Sequence, residues 1–408
     1  MTPASILFVT WDGPQVSYLE SLFLPIFMGL AKRGHQFHVL QFTWADKRRR
    51  DAVQALCEAA GCSYRSAPVL RKTVAAGSLV SAVLGSRHVR RAIAQHNIDI
   101  VMPRSTLPAF SSMLAMRHFA SVSLLFDADG LPHDERVDFG GWSAHGLAYR
   151  MLRDMEATAV RRADGVLTRS RKAIEILVAR AGAGTSAGKF HVVANGRDAG
   201  LFSPASAAQR ASVRRELGIA DSAPLLVYAG SMGNQYCMPE MLELFKRVRD
   251  RRSDAQFLLL TGSPQEVERR LEDAADLRSS CHVLSVPPDA VPRYLGACDL
   301  GLALRRPSFS MQAVAPIKLG EYLLCGLPVV ATRAIGDTDE QISAQVGYSL
   351  TAMSTQELGA AADWFVDVVL ADGDGFAARC RETGLRHFSL AASVDAYSRA
   401  IESIAVAS

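Results

Sequence analysis

The sequence has few cysteines and no paired ones. They are isolated from one another, no C-x-x-C spacing occurs, and their number is odd. This usage is typical of reduced, mostly buried thiols in a cytoplasmic protein, and it excludes a disulfide framework. The seven residues are Cys57, Cys62, Cys237, Cys281, Cys298, Cys325 and Cys380.

Long apolar runs and a basic leader are also missing. The longest apolar stretch, 22–31, falls well short of the ~20 residues that a membrane-spanning helix needs, and it carries a helical stripe. The first apolar run, Ile6 to Thr10, follows the N-terminus without a cluster of Lys or Arg. We therefore expect neither a secretory signal nor a membrane span.

The chain is long enough for two domains, since a single core rarely exceeds about 150–200 residues. Its 408 residues are 49% apolar and 21% charged, which is ordinary for a globular protein. Residues 1–185 contain 23 Lys/Arg and 15 Asp/Glu (+8), whereas the remainder contains 22 and 26 (−4). This asymmetry indicates different partners for the two halves.

Apolar strand-like runs alternate with helical stripes in both halves. This β-α-β rhythm predicts a doubly wound parallel sheet in each half, joined by a small-residue linker at 179–190. We predict domains at 1–185 and 186–380, with 381–408 as a terminal helix that crosses back to the first domain. The predicted strands are Ile6–Thr10, Phe37–Phe42, Ile98–Met102, Val122–Phe126, Gly165–Thr168, Phe190–Ala194, Leu225–Ala229, Gln256–Thr261, His282–Ser285, Leu300–Leu304 and Val329–Ala331.

The segment "APIKLGEYLLCGLPVVAT" (315–332) places a charged pair at the mouth of an apolar helix. Pro316 suits the first helical turn, and the partial positive charge of a helix N-terminus favours phosphate. Lys318 adds a full charge there, and Glu321 lies three residues on, on the same face. Phosphate donors beside a carboxylate that can bind two ribose hydroxyls would suit a nucleotide diphosphate. An ordinary surface ion pair is the alternative.

Six segments, taken in order, resemble retaining glycosyltransferases of family four, which have the two-domain GT-B fold. The resemblance covers nearly the whole chain. The segments are "LAKRGHQFHVL" (30–40), "RRADGVLTRSRKAIEIL" (161–177), "FHVVANGRDAGLFSP" (190–204), "LLVYAGSMG" (225–233), "YLGACDLGLAL" (294–304) and "PIKLGEYLLCGLPVVAT" (316–332).

The resemblance implies two Rossmann-like domains facing each other across a cleft. It also implies metal-independent transfer of a sugar, with retention, from a nucleotide diphosphate sugar to a hydroxyl of a glycan or lipid-linked glycan. No cofactor besides that donor substrate is implied. The bacterial subgroup that carries "P-x-K-x-x-E-Y" makes polysaccharides, including exopolysaccharides.

Donor contacts follow from matching the family motifs to this sequence. Glu321 matches the ribose-binding glutamate, whereas the family's other glutamate falls on Ala313. Ser231 and Tyr236 stand where the family has the Arg and Lys that hold pyrophosphate, so Lys318 with Arg305 or Arg306 is expected to replace them. The remaining expected donor-binding residues are Pro316, Gly320, Gly230, Asn195 and Val286.

The first half supplies the expected sugar and acceptor contacts. "LLFDADGLPHDERVDFGGW" (124–142) follows a strand and is similar to a "D-x-R-G" segment of the same subgroup, so Asp127 or Asp129 is expected to face the sugar or the incoming hydroxyl. Gly13, in the first strand-to-helix turn, and His133 are expected on the acceptor side. The D-x-D spacing of Asp127 and Asp129 also suits a divalent ion. The structural alternative is a capped helix start with solvated acids.

A basic run at Lys47–Arg50, with Arg87, Arg90 and Arg91 downstream, is either a solvated face or a patch that contacts an anionic membrane. Nucleic acid is not expected, because no recognition motif accompanies the charge. The expected location is therefore the cytoplasm, with peripheral contact to the inner membrane.

Two other functions stay open. A nucleotide-sugar 2-epimerase shares the two-domain layout, and a degenerate transferase could act only as a binding partner.

Overall fold

The computed structural model describes residues 3–70 and 74–405. They form two compact units. Unit 1 contains the described residues up to Ala194 and those from Ser393 onward, and unit 2 is Asn195–Ala392. Each unit is an α/β layer structure around one parallel sheet, of seven strands in unit 1 and six in unit 2.

The first and last residues of the observed strands lie, in most cases, within one or two residues of the predicted bounds. Those of unit 1 are β1 Ser5–Asp12, β2 Gln36–Thr43, β3 Ser63–Pro68, β4 Ile100–Pro103, β5 Ser123–Asp127, β6 Gly165–Thr168 and β7 Phe190–Val192. Those of unit 2 are β8 Leu225–Ala229, β9 Gln256–Leu260, β10 Cys281–Leu284, β11 Leu300–Ala303, β12 Val329–Thr332 and β13 Gly347–Leu350.

Helices connect the strands. In the first part of the chain they are α1 Leu24–Ala31, α2 Lys47–Ala59, α3 Val74–His96, α4 Thr106–Met116, α5 Pro132–Asp138, α6 Leu147–Arg162 and α7 Arg171–Ala181. From residue 195 onward they are α8 Ala207–Glu216, α9 Met238–Arg251, α10 Pro264–Glu272, α11 Val291–Leu295, α12 Ile317–Leu324, α13 Thr338–Gln341, α14 Thr355–Trp364, α15 Leu370–Asp372, α16 Asp374–Phe388 and α17 Leu390–Ala405. None of the helices in the described part of the chain is long and apolar enough to cross a bilayer.

The sheet of unit 1 has the order β3-β2-β1-β4-β5-β6-β7, and all its pairs are parallel. The chain moves outward from β1 to β3, then reverses and crosses to β4. Because parallel crossovers are right-handed, α1 and α2 lie on one face of the sheet, and α3, α4 and α6 lie on the other. The reversal between β1 and β4 is the position where doubly wound sheets bind ligands, beyond the carboxyl ends of the strands.

The interpretation of residues 190–194 as the first strand of the second half is wrong. β7 pairs in parallel with β6, with Phe190 opposite Val166, so it closes the sheet of unit 1. The small-residue segment at 179–190, predicted to link the two domains, therefore lies within unit 1, before its last strand. Sequence periodicity cannot distinguish these alternatives, because an edge strand of one sheet and a first strand of the next have the same local pattern.

Two edge strands were not predicted. β3 ("SYRSAP") and β13 ("GYSL") contain too few apolar residues to form a recognisable run, and each has only one neighbouring strand. Unit 2 has the order β10-β9-β8-β11-β12-β13, again entirely parallel. Edge strands can be more polar than central ones because one side of the ladder is unpaired.

The apolar face predicted for the terminal helix is buried against unit 1. Val394, Tyr397, Ile401 and Ile404 are each at most 6% exposed. Ile404 lies where a Cβ on Gly165 of β6 would meet it, at 2.9 Å. Residues from 393 onward therefore complete the core of unit 1, although they follow unit 2 in the chain.

In unit 2, helix α12 is positioned by close contact with the sheet. A Cβ on Gly301 of β11 would lie 2.5 Å from the ring of Tyr322, which is fully buried. The hydroxyl of Tyr322 accepts a hydrogen bond from the backbone N–H of Ala229, at 2.8 Å, at the end of β8. One tyrosine thus fixes the helix against two adjacent strands.

We predict that Gly301→Ala destabilises the protein by about 1–3 kcal/mol, because the added methyl group forces the Tyr322 ring or the strand to move. Gly359→Ala is the matched control, since no atom lies within 4 Å of its Cβ position in α14. Urea denaturation measures both. Equal stabilities of the two variants would contradict the packing account.

Candidate functional site

A cavity of about 220 Å³ opens in unit 2 at the carboxyl ends of β8 and β9. Ligands of open parallel sheets bind at this edge. Residues from three strand ends, from the segment before α8 and from α12 converge there. The lining residues are Arg197, Phe202, Ala229, Gly230, Leu260, Thr261, Gly262, Val286, Pro288, Val291 and Glu321.

Glu321 lies in this cavity and is paired with an arginine. Its Oε1 is 2.8 Å from Nη2 of Arg197, and the two side chains are only 13% and 16% exposed. Burial raises the pKa of Glu321, and the ion pair with Arg197 opposes that rise. The cavity therefore contains a carboxylate that is held in place yet has an oxygen left to accept further hydrogen bonds.

Sequence reasoning missed Arg197. It stands in "ANGRDAGLF", where the matching family motif has valine, and this departure was the available signal. Its guanidinium lies 4.9 Å from the ring centroid of Phe202, and its backbone N–H donates to the carbonyl of Phe388 at 2.8 Å. Packing and backbone pairing thus orient Arg197 toward Glu321.

The start of α12 differs slightly from the prediction. Pro316 is the residue that precedes the helix, not a member of its first turn, and the helix comprises Ile317–Leu324. The side-chain amide of Asn195 donates to the carbonyl of Ala315 at 2.9 Å. Asn195 therefore fixes the loop that leads into α12 and is not among the residues that line the cavity.

Lys318 is buried, with 7% exposure, at the mouth of α12. Its Nζ lies 3.9 Å from the ring centroid of Tyr228 and 4.3 Å from that of Tyr236. It makes no hydrogen bond within the described residues. Burial and the nearby charge of Arg305 lower its pKa well below the usual value, although Glu321 opposes this. The amine thus lies close to two aromatic rings and has unused donor capacity.

Gly230 lies next to the amine of Lys318. Its φ is +151°, and a Cβ there would be 2.9 Å from Nζ of Lys318. A side chain at 230 would both strain the backbone and fill the space in front of the amine. Gly230 and Lys318 are thus brought together by the fold, at the edge of the cavity.

Of the two arginines after β11, Arg305 is the one near Lys318. Its guanidinium carbon lies 5.0 Å from the Tyr236 ring centroid. Arg306 is exposed, and its backbone N–H donates to the carbonyl of Gln235. Tyr236 stands where the family has a lysine, and its ring is close to two cationic groups, those of Lys318 and Arg305.

Three further predicted donor residues have different surroundings. Val286 lines the cavity, as expected for a contact with the base. The carbonyl of Ser231 accepts a hydrogen bond from Tyr228 Oη at 2.5 Å. Gly320 is a packing position and not a cavity residue, because a Cβ there would lie 2.7 Å from Cβ of Phe388 in α16.

In unit 1 the predicted acidic pair follows β5. Asp127 is fully buried, and its Oδ2 accepts a hydrogen bond from Nη2 of Arg169 at 2.8 Å. Burial raises the pKa of Asp127, and Arg169 opposes that rise. Asp127 also accepts the backbone N–H of Asp129 at 3.2 Å. It is a structural centre of this loop and has no exposed surface for a ligand.

Asp129 is the accessible member of the pair, with 29% side-chain exposure. Its φ of +53° is unusual for a residue other than glycine, so the loop holds it in a strained conformation. Its carboxylate is 2.6 Å from Nη2 of Arg104, which lies after β4. The two arginines are shared, because Arg169 also lies 3.9 Å from Asp129 and Arg104 lies 3.9 Å from Asp12. Within the described residues, no group of three or more His, Cys, Asp or Glu side chains is placed to hold a metal ion.

The two residues expected on the acceptor side lie in packed positions. His133 is 6% exposed and shares a 2.7 Å hydrogen bond with the hydroxyl of Thr106, at the start of α4. Gly13 approaches the ring of Trp44, 2.7 Å from where its Cβ would be. The acceptor-side assignment of both residues stays a prediction.

Two family models match separate parts of the chain. Residues 26–201 match Glycosyltransferase Family 4, and residues 223–367 match Glycosyl transferases group 1. The first match covers most of unit 1 and the first residues of unit 2, and the second lies within unit 2. The segment 316–332 lies inside the second match. A comparison with curated protein sequences finds no match.

Solved structures with the GT-B fold share this architecture over nearly the whole chain. Anabaena Alr3699/HepE in complex with UDP and glucose has 19% identity and a TM-score of 0.70, covering 98% of this chain and 99% of that one. A Rickettsia africae glycosyltransferase has 15% identity and a TM-score of 0.74, covering 99% and 100%. A putative UDP-N-acetylglucosamine 2-epimerase from Listeria monocytogenes has 16% identity and a TM-score of 0.63, covering 99% and 98%. The predicted GT-B fold class is therefore confirmed.

We predict that His133 makes unit 1 sensitive to mild acid. Burial, with the charge of Arg136, lowers its pKa from 6.5 to about 4. As the pH falls from 6.5 toward 4, the unfolded state takes up a proton that the folded state does not, so stability is present above pH 6.5 and is lost below it. Between pH 7 and pH 5 the loss due to this group is about 2 kcal/mol.

His133→Gln removes the titration while keeping a hydrogen-bonding side chain near Thr106. Urea denaturation at pH 7 and pH 5 should show a smaller pH effect in this variant than in the wild type. His118→Gln, at an exposed position, is the control. An unchanged pH dependence in His133→Gln would show that this histidine is not buried in its neutral form.

Proposed function

We propose that this protein is a retaining, metal-independent glycosyltransferase. It transfers a sugar from a nucleotide diphosphate sugar to a hydroxyl of a glycan or lipid-linked glycan in the cytoplasm, at the inner membrane. The observation that carries the proposal is the arrangement in unit 2. A carboxylate (Glu321) and a glycine (Gly230) line the cavity, and the buried amine of Lys318 lies 2.9 Å from the Cβ position of that glycine.

The chemistry of this edge matches a nucleoside diphosphate. Glu321, with one oxygen paired to Arg197, accepts hydrogen bonds from the ribose hydroxyls. Lys318 and the N–H groups at the start of α12 stabilise the diphosphate, on which negative charge grows as the glycosidic bond breaks. Val286, after β10, contacts the base. The UDP and glucose bound in the Anabaena structure support this donor class.

In unit 1 we assign separate roles to the two aspartates. Asp129 is exposed and contacts the sugar or the acceptor hydroxyl, whereas buried Asp127 positions Arg169 and the loop. Arg104 and Arg169 place positive charge beside these carboxylates and beside Asp12, which lies 3.9 Å from Arg104. Metal independence and retention both rest on the resemblance to family four.

A nucleotide-sugar 2-epimerase is the second candidate, favoured by the likeness to the Listeria structure. Incubation of the donor without acceptor distinguishes the two, since an epimerase isomerises the sugar and a transferase at most hydrolyses it. A third candidate is a non-catalytic binding protein, favoured by Ala313, Ser231 and Tyr236 in place of family residues. It would bind a nucleotide by calorimetry but show no turnover with pooled acceptors.

We predict that Glu321→Ala lowers kcat/KM by at least about tenfold, because a hydrogen bond to a charged group contributes roughly 1.5–3 kcal/mol. The donor is first chosen by thermal shift among UDP-, GDP-, ADP- and TDP-sugars. Glu321→Gln should also lose activity while removing less packing. Glu382→Ala, an exposed acid of α16, is the matched control. Full activity in a folded Glu321→Ala protein would disprove the assignment.

A further inference from the structure

A groove between α4 and α6 in unit 1 lies outside the sites described above. Its volume is about 630 Å³, nearly three times that of the cavity in unit 2. The α4 side and the α6 side each contribute three apolar side chains. They are Phe110, Met113 and Leu114 from α4, and Leu147, Met151 and Met155 from α6.

The apolar surface of this groove is partly in water. Leu147 is 77% exposed and Met151 is 37% exposed. Neither position is needed for the core, because Ala157, Ala159 and Val160 supply the buried face of α6. An exposed apolar cluster beside a groove is typical of an interaction surface.

The rim of the groove is basic. Arg117, Arg150 and Arg162 line it together with a single acid, Asp154. All four side chains belong to exposed residues, and within the described residues none of the three arginines forms an ion pair. The groove therefore combines an apolar floor with a net positive edge.

Helix α3 extends the same pattern. It packs against α4 on the same face of the sheet. Val80, Val83 and Leu84 are each 46% exposed, and their i, i+3, i+4 spacing continues to the exposed Arg87 and Arg91. Two neighbouring helices on one face thus each present apolar side chains followed by arginines.

We propose that this face of unit 1, formed by α3, α4 and α6, docks on an anionic membrane surface. Leu147 and Met151 enter the interfacial region, and the arginines contact lipid phosphates. The charge pattern favours this occupant over a second copy of the chain. A symmetric dimer through the same patch would bring arginine rims together, whereas anionic lipids neutralise them.

The basic run at Lys47–Arg50 is less suited to this role. It starts α2, on the opposite face of the sheet from α4 and α6. Lys47 is paired with Asp51, and Arg49 is paired with Glu20. Arg50 donates to the carbonyl of Ala45 at 2.5 Å. Two of the four basic residues of this run are therefore paired with acids, whereas no arginine of the groove rim is, in the part of the chain that the structure describes.

The test is sedimentation of the full chain with vesicles of phosphatidylglycerol and phosphatidylcholine, compared with phosphatidylcholine alone. Each basic residue at the surface contributes about fivefold in affinity. The double variant Arg117→Glu/Arg150→Glu should therefore bind at least about twentyfold more weakly. The double variant Leu147→Ser/Met151→Ser should bind more weakly at every proportion of phosphatidylglycerol. Lys47→Glu with Arg48→Glu makes the same charge change on the opposite face and should have little effect.

Three outcomes would overturn the docking proposal. The wild type could bind anionic vesicles no better than neutral ones. The Lys47/Arg48 variant could lose binding while the Arg117/Arg150 variant keeps it. Light scattering after gel filtration could instead show a concentration-dependent dimer that Leu147→Ser abolishes, which would make the groove an interface between copies.

The buried amine of Lys318 carries a second inference, which rests on the proposed function. Its Nζ lies 3.9 Å from the ring centroid of Tyr228 and 4.3 Å from that of Tyr236, and the guanidinium carbon of Arg305 lies 5.0 Å from the Tyr236 centroid. Glu321, one turn along α12, is the acid that faces it, and that acid is already paired with Arg197. No hydrogen-bond acceptor within the described residues compensates a charge on this amine.

We infer that Lys318 takes up a proton when the diphosphate binds. In the free protein, burial and the neighbouring arginine disfavour the ammonium form. A diphosphate placed between Gly230 and the start of α12 supplies the missing acceptors and two or more negative charges. Binding of the donor and protonation of this amine therefore favour each other.

The test is calorimetric titration at pH 8.5 in buffers of different ionisation enthalpy, with the nucleoside diphosphate that gives the largest thermal shift, starting with UDP. At this pH the terminal phosphate is already deprotonated, since its second pKa is about 6. The slope of enthalpy against buffer enthalpy should report uptake of up to one proton. Lys318→Arg should bind with no uptake, because guanidinium stays charged, and Lys318→Met should bind at least about tenfold more weakly.

The outcomes separate this inference from the proposed function. Binding of UDP to the wild type without proton uptake, or uptake that persists in Lys318→Arg, would overturn the role of Lys318 and leave the transferase proposal standing. No binding of UDP-, GDP-, ADP- or TDP-type diphosphates to the intact protein would overturn both.

Discussion

A lysine buried without a hydrogen-bond partner is the constraint around which unit 2 is arranged. Two features allow Lys318 to be buried. Two tyrosine rings lie close to its amine, and Gly230, in the loop after β8, has no side chain to fill the space beside that amine. Burying a charge without a partner is unfavourable, so such a group persists where function requires it. This placement supports the proposal that the amine binds an anion.

The helix that carries this lysine is held by contacts with no chemical role. Gly301 admits the ring of Tyr322 against β11, and Gly320 admits Phe388 from α16. These glycines let α12 approach its neighbours closely enough for Glu321 and Lys318 to reach the carboxyl edge of the sheet. The geometry of the candidate donor site thus depends on packing on the sides of α12 that face away from it.

Unit 1 instead contains acidic and basic side chains that pair with one another at the strand ends. Asp127, the last residue of β5, pairs with Arg169, which follows β6. Asp129 pairs with Arg104, which follows β4. Asp12, the last residue of β1, also lies 3.9 Å from Arg104. Charges from four strand ends thus meet at one edge of the sheet, where the chain reverses direction between β1 and β4. A cluster of this kind can orient a polar substrate, and Asp129 is its most exposed acid.

The sequence by itself determined the repeated β-α-β rhythm, the strands with strong apolar runs, and the placement of Lys318 and Glu321 in the first turns of one helix. These follow from short-range patterns, because periodicity and helix-start chemistry act over a few residues. Only the tertiary structure decided that β7 belongs to unit 1, that Arg197 pairs with Glu321, that Arg305 and not Arg306 accompanies Lys318, and that Gly320 is a packing residue. Each of these depends on residues far apart in the chain, whose contacts arise from how the strands order within a sheet and not from any local preference.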